Sequence, residues 1–183
     1  ELYAFYCRAV LELVTRFRQD GWQPDIIHCH DWQASLVPVY LKYRWMFEPP
    51  LVGTKSLLTI HNLAYQGRFD PALLETLGLP ETLFHPEALE FYGLVNLLKG
   101  GIVYSDLVST VSPTYAREIQ TPEYGHGMGG LMYSVRNRLH GILNGVDYKI
   151  WNPATDNNIA ANYSLQDFTG KSRCKHELLK VCQ

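Results

Sequence analysis

Polar side chains that suit carbohydrate hydroxyls follow short apolar segments of this 183-residue chain. The residues concerned share a position at or directly after the end of a predicted strand: His30, Asp31, Trp32, His61, Asn62 and Asn144. Ligands of open parallel sheets bind at the carboxyl ends of the strands, where the loops converge. A carboxylate, imidazoles and amides form hydrogen bonds with hydroxyl groups in both directions. The assortment therefore predicts a sugar site rather than a phosphate site or an apolar one.

A metal centre is the first alternative for these residues. His28, His30 and Asp31 offer two imidazoles and a carboxylate. In a strand, however, His28 and His30 point to one face and Asp31 to the other. The remaining histidines are scattered, so we predict no metal site and no cofactor, and we interpret His28 as a hydrogen-bonded core residue.

The sequence motifs of nucleotide-binding loops and of serine hydrolases are both missing. The glycine-rich stretch 125–130 matches neither GxGxxG after a strand nor GxxxxGK[ST], so a mobile surface loop is favoured over a nucleotide site. No GxSxG motif is present, and Ser112 precedes Pro113, which has no N–H for an oxyanion hole. Ser112 is predicted to cap a helix. Trp32 either supports a sugar ring or packs in the core, and both interpretations stay open.

The elements that must position these residues alternate along the chain. The predicted helices and strands are listed here by range: helices 2–17, 31–44, 91–104, 131–138 and 171–181, and strands 26–30, 56–60, 107–111 and 141–143. An apolar stripe, formed by Leu2, Tyr6, Ala9, Leu13 and Phe17, is expected on the first helix. Residues 62–86 are rich in glycine and proline and predict a long connection. The order indicates an α/β domain with a mainly parallel sheet.

Composition excludes several classes of protein. The chain is 46% hydrophobic and 19% charged, which is too ordinary for disorder, and its net charge of −2 disfavours nucleic-acid binding. No apolar run approaches the ~20 residues of a membrane helix, and residues 1–20 do not resemble a signal peptide. The four cysteines form no regular framework, so a reducing, cytoplasmic location is expected.

Ordered motifs give the chain a family resemblance. They share their order with bacterial glycogen synthase and plant starch synthase and span nearly the whole chain: PDIIHCHDW from Pro24, TIHNLAYQG from Thr59, VSPTYAREI from Val111, LNGVD from Leu143 and WNPATD from Trp151. The resemblance implies a retaining glycosyltransferase that moves glucose from ADP-glucose to the non-reducing end of an α-1,4-glucan. It also implies a GT-B fold, in which two Rossmann-like lobes enclose the active site. The same motifs imply that His61 and Asp31 are catalytic-site residues and that Trp32, Asn62 and Asn144 bind substrate.

The chain also departs from this family pattern. The Lys-Thr-Gly-Gly-Leu loop of the family is absent, as is the second lobe that supplies most nucleotide contacts, and Gly129 replaces an expected acidic or polar residue. We therefore expect residues 1–183 to be an incomplete N-terminal lobe, a plastidic one if the source is a plant or alga. Two interpretations remain: a segment of a glucan synthase that is inactive alone, or a non-catalytic sugar- or α-glucan-binding module.

Overall fold

The computed structural model describes residues 2–17, 21–43 and 51–182. The chain divides into two compact units, and the division falls between Leu143 and Asn144. Within the described residues, no helix is both long enough and apolar enough to cross a bilayer.

A parallel four-stranded sheet forms the centre of the first unit. Its strands lie in the order β1, β2, β6, β7, with these bounds: β1 Ile26–His30, β2 Lys55–Ile60, β6 Leu107–Thr110 and β7 Leu139–Gly141. The predicted parallel sheet is confirmed, and β1 has its predicted ends. The prediction of the last strand at 141–143 is wrong, because this strand starts two residues earlier, directly after the 3-10 turn Arg136–Arg138.

The two faces of the central sheet differ in their surroundings. Side chains alternate along β1, so Cys29 faces the core while Ile26, His28 and His30 are exposed. Leu58 and Val108 are fully buried on the core side of the neighbouring strands. The exposed face of β1 therefore carries the two histidines that precede the predicted site.

The first helix, α1, spans Leu2–Phe17 as predicted, but it does not bury the predicted stripe. Its buried residues are Cys7, Leu11 and Val14. Leu2 and Leu13, by contrast, are 75% and 51% exposed. The helix is apolar on more than one side, so periodicity alone does not identify the face that packs against the protein.

The predicted helix 31–44 is two helices, α2 Asp31–Ala34 and α3 Leu36–Tyr43, separated by Ser35. Pro38 lacks the N–H that would bond the carbonyl of Ala34, which interrupts the helical ladder. Residue 44 lies outside the described residues. Helix α3 is buried along most of its length and packs against α1.

The predicted helix 91–104 is wrong in its first half. A second, antiparallel sheet occupies this region and has the order β3, β5, β4, with these bounds: β3 Arg68–Phe69, β4 Glu90–Phe91 and β5 Leu94–Asn96. Tyr92 and Gly93 form the tight turn, and both have positive φ. Asn96 then caps α5, Leu97–Tyr104, through the N–H of Lys99.

The remaining elements surround this framework. They are α4 Leu73–Leu77 and the 3-10 turn Glu81–Leu83 in the long connection, α6 Pro113–Glu118, α7 Gly129–Ser134, and α8 Thr169–Val181 in the second unit. Helix α7 is predicted over 131–138, but it begins and ends earlier and the 3-10 turn follows it. In the second unit, the Asn162 amide donates to the carbonyls of Pro153 and Asp156.

Candidate active site

The candidate site starts where β1 and β2 end. These strands are parallel, and His30 pairs with Thr59 in their register, so the residues that follow each strand are neighbours. The Oδ1 atom of Asp31 accepts a hydrogen bond of 2.8 Å from the backbone N–H of His61. The two residues that the family resemblance marks as catalytic are therefore in direct contact.

Asp31 reaches His61 from an uncommon backbone conformation. Its φ is +55°, in the left-handed region that L-residues other than Asn and Asp seldom adopt. The N-cap position of α2 is His30, and no side chain caps this helix. The carboxylate of Asp31 therefore does not cap α2, and it reaches across the sheet to the next strand end.

A row of histidines lies on the exposed face beside Asp31. The rings of His28 and His30 are 4.2 Å apart between centroids, as expected for side chains two positions apart in a strand. His30 Nδ1 lies 3.0 Å from His61 Nε2, and these two rings are 5.3 Å apart. The three imidazoles thus run from the strand interior to the strand end.

His28 has a different polar partner from the other two histidines. Its Nε2 lies 2.6 Å from Oγ1 of Thr59, and that hydroxyl lies 2.7 Å from Oγ of Ser109. Partial burial, followed by the charges of His30 and His61, lowers the pKa of His28. The side chain is hydrogen-bonded as predicted, but it is exposed and so is not a core residue.

No group of three His, Cys, Asp or Glu side chains could hold a metal ion within the ranges 2–17, 21–43 and 51–182. In the histidine row, the hydrogen bond between rings joins His30 to His61, and His28 contacts His30 through its ring.

Asn62 begins the loop that follows β2. Its Oδ1 accepts a bond of 3.0 Å from the N–H of Ala64, and the residue is exposed. The next residue, Leu63, donates its N–H to the hydroxyl of Tyr115 on α6, at 3.0 Å. The loop is therefore held by a backbone contact to α6 and by the local turn at Asn62.

The same loop is tied to the glycine-rich stretch. Gln66 accepts from the buried amide of Asn96 at 2.8 Å and donates to the carbonyl of His126 at 3.1 Å. Met128 is buried, and His126 has a φ of +46°. The predicted surface loop is thus anchored at its centre to the segment that carries Asn62.

Trp32 packs against aromatic rings and against the backbone of the loop. Its ring meets that of Tyr3 edge-on at 5.0 Å and lies 5.9 Å from the ring of Phe69. A Cβ at Gly67 would lie 2.4 Å from Cε3 of Trp32, so the glycine makes room for the indole. Trp32 is half-buried and packs against the edge of the core, and contact with a sugar stays a prediction.

A shallow cavity of about 260 Å³ opens beside these residues. Its lining contains three of the predicted residues and two that sequence reasoning missed: Asp31, Trp32, Asn62, Gln33 and Tyr65. Tyr65 is 67% exposed, so its ring is accessible at the edge of this cavity. A larger cavity of about 620 Å³ runs along α1, but it contains none of the predicted residues.

Two predicted positions lie outside this cluster. Ser112 accepts the N–H of Tyr115 at 2.9 Å and caps α6, with Pro113 at the first helical position, as predicted. Asn144 is the first residue of the second unit, and its part in the site stays a prediction.

A parallel sheet with flanking helices and polar groups at adjacent strand ends defines an α/β domain of the Rossmann-like class. The family model of the starch synthase catalytic domain matches residues 1–134, and the chain belongs to that family.

Individual relatives agree with this assignment. The chain is 46% identical to glycogen synthase from Thermodesulfovibrio yellowstonii over 181 residues, which cover 99% of the chain and 36% of the relative. It is 51% identical to glycogen synthase from Myxococcus xanthus over 178 residues, 97% of the chain and 36% of the relative. It is also 51% identical to the Thermotoga maritima enzyme over 161 residues, 88% of the chain and 32% of the relative.

A solved structure is similar as well. The catalytic domain of starch synthase IV from Arabidopsis thaliana, bound to ADP and acarbose, superposes with a TM-score of 0.73 at 38% identity. The superposition covers 97% of this chain and 36% of that domain. The chain thus spans about a third of the length of these relatives, and its fold is that of part of a GT-B catalytic domain.

Proposed function

We propose that this chain supplies part of the active site of a retaining glucosyltransferase, which transfers glucose from ADP-glucose to the non-reducing end of an α-1,4-glucan. The observation that carries the proposal is the bond between Asp31 and the N–H of His61, beside a cavity lined by Asp31, Trp32 and Asn62. It joins the residues that the family motifs mark as catalytic, and relatives of the chain are named glycogen synthases.

The residues have distinct proposed roles. His61 presents its imidazole to the donor glucose, and Asp31, which lines the cavity, fixes the backbone of His61. Asn62 and Asn144 form hydrogen bonds with sugar hydroxyls, and Trp32 supports the site from below. In a transfer through an oxocarbenium-like transition state, such fixed polar groups stabilise the developing charge most.

We assign the groups that neutralise the diphosphate to a second lobe. Residues 1–183 belong to the N-terminal lobe, and the second lobe is their proposed partner. A cleft enzyme needs both walls to orient its substrates and exclude water. The donor and acceptor are ADP-glucose and the glucan. The proposed location is the reducing cytoplasm, which the four free cysteines support.

A chimera tests the proposed function. This chain replaces the matching segment of the Myxococcus xanthus glycogen synthase, and incorporation of radiolabelled glucose from ADP-glucose into a glycogen primer is measured. The chimera should incorporate glucose, and His61→Ala should lower its turnover about 10²-fold, because each lost buried polar contact costs roughly 1–3 kcal/mol. The 183-residue chain alone should incorporate none above a control without protein.

Thermal unfolding separates this role of His61 from a structural one. The loop after β2 is held by Asn62 and by the Tyr115 hydroxyl, so His61→Ala should leave the Tm of the chimera nearly unchanged. Near wild-type turnover in a folded His61→Ala variant would remove His61 from the catalytic set. An inactive chimera together with tight binding of maltoheptaose by the chain alone would favour the non-catalytic binding module instead.

A further inference from the structure

The His61 ring has a defined partner on the neighbouring strand. His30 Nδ1 lies 3.0 Å from His61 Nε2, which is hydrogen-bonding distance for two ring nitrogens. Among the residues that the structure describes, the side chain that forms a hydrogen bond with the His61 ring is that of His30. The backbone N–H of His61 is held separately by Asp31.

This contact constrains the protonation of both rings. A hydrogen bond between two neutral imidazoles contains one proton, so one facing nitrogen donates and the other accepts. The hydrogen bond at Nε2 therefore couples the tautomer of His61 to that of His30, and Nδ1 is the ring nitrogen of His61 that remains for another partner. Without His30, the ring could exchange tautomers and rotate about its Cβ–Cγ bond.

His30 is itself held in place. Its ring lies against the ring of His28 at 4.2 Å, and His28 is fixed by Oγ1 of Thr59 at 2.6 Å. Each of these residues lies on a strand of the central sheet, which positions side chains more exactly than a loop does. The row of contacts thus runs from Thr59 through His28 and His30 to the His61 ring.

We propose that His30 is a positioning residue, which fixes the orientation of the His61 ring and couples its tautomer to that of His30, so that Nδ1 of His61 faces the substrate. The catalytic consequence rests on the proposed glucosyltransferase function, whereas the effect on the His61 ring does not. His30 acts through His61 and need not touch the sugar.

The ring itself is tested in this 183-residue chain by NMR. Long-range ¹H–¹⁵N spectra of histidine-labelled protein at alkaline pH, where the rings are neutral, show which nitrogen of His61 carries the proton. We expect complementary tautomers at His30 and His61 in the wild type, with one proton between Nδ1 of His30 and Nε2 of His61, and a changed tautomer ratio of His61 in His30→Leu. Facing nitrogens that both carry or both lack a proton in the wild type, or an unchanged tautomer ratio of His61 in His30→Leu, would overturn the proposal whatever the chain catalyses.

The catalytic effect is tested in the chimera with a rescue variant. Asn carries its amide atoms on Cγ, at the same reach as Nδ1 of His, and it donates or accepts as needed. His30→Leu should lower kcat at least about tenfold with KM for ADP-glucose and glycogen within about twofold, because the lost contact orients a transition-state group. His30→Asn should restore kcat to within about threefold of the wild type.

His140→Leu is the matched control, since His140 is an exposed histidine of the same sheet that pairs with Ser109 in the register of β6 and β7 and lies outside the row of contacts. Its kcat should stay within about twofold of the wild type. Equal losses in His140→Leu and His30→Leu would show a general disturbance of this face and would contradict the proposal, as would His30→Asn being as slow as His30→Leu. An inactive wild-type chimera would contradict the proposed function alone, since the NMR result stands separately.

Discussion

The carboxylate of Asp31 accepts a 2.8 Å hydrogen bond from the backbone N–H of His61, across the ends of two parallel strands. The bond explains why Asp31 tolerates a φ of +55°, because that conformation turns the side chain along the edge of the sheet. Functional effects of Asp31 substitutions therefore include the displacement of His61. Variants of Asp31 therefore have to distinguish the loss of the hydrogen-bond acceptor from the strain of a positive φ.

Asp31→Asn should leave the free energy of unfolding of this chain within about 0.5 kcal/mol of the wild type. Asparagine retains an acceptor oxygen and adopts positive φ readily. Asp31→Ala loses both features and should cost about 1–3 kcal/mol, while Asp31→Gly loses only the acceptor and should fall between them. Urea denaturation measures all three. An Asn variant as unstable as the Ala variant would show that the charge, not the hydrogen bond, holds His61.

Gly67→Ala should destabilise the chain by about 2–4 kcal/mol, because the new methyl group would overlap the Trp32 ring at a backbone φ of +62°. Gly78→Ala is the matched control: its φ is +65°, but a Cβ there would have no neighbouring atom within 4 Å, so only about 1 kcal/mol is expected. The difference between the two variants measures the close packing of Trp32 against the loop.

A double variant completes that comparison. Trp32→Leu removes the ring that Gly67→Ala would strike, so the cost of Gly67→Ala should fall toward that of Gly78→Ala in the Trp32→Leu background. Purely additive effects in urea denaturation would mean that Trp32 and Gly67 are not in close contact.

The parts of the fold that sequence predicted correctly have local signals. Strand β1 is an apolar run between a proline and a helix, and α6 begins with a capping serine followed by proline. The meeting of Asp31 and His61 was likewise predictable, since both follow neighbouring strands of a parallel sheet. Their exact contact was not, because it depends on a positive φ that the sequence does not specify.

The wrong predictions concern segments in which apolar residues are not confined to one face. The tight turn at Tyr92 and Gly93 is hidden in a run that reads as one buried helix over 91–104. On α1, apolar residues occur on more than one side, and tertiary packing selects Cys7 and Leu11 over Leu2 and Leu13. The contact between His30 and His61 depends on side-chain rotamers and was also beyond a pattern argument.

Asp106 should make the stability of the first unit depend on pH in acid. Its Oδ1 lies 2.9 Å from Nζ of Lys42, and its Oδ2 accepts from the N–H and the hydroxyl of Ser56 at 2.8 Å and 3.0 Å. Burial favours the protonated form, but the bonds from Lys42 and Ser56 outweigh it and lower the pKa of Asp106 to about 2.

The sign of the effect follows from comparing the two states. In the unfolded chain an aspartate has a pKa of about 3.9, so the unfolded state takes up the proton first as the pH falls. The stabilisation is fully present above about pH 4 and is lost between about pH 4 and pH 2.

Asp106→Asn should therefore lower the free energy of unfolding by about 1–2 kcal/mol at neutral pH, an amount discounted for partial solvent screening, and should flatten the decline of that free energy in acid. Urea denaturation across this range measures both effects, and Asp70→Asn, which alters an exposed carboxylate bonded to the N–H of Ala72, is the control that should retain the decline. An unchanged acid decline in Asp106→Asn would show that other carboxylates dominate the acid unfolding of this unit.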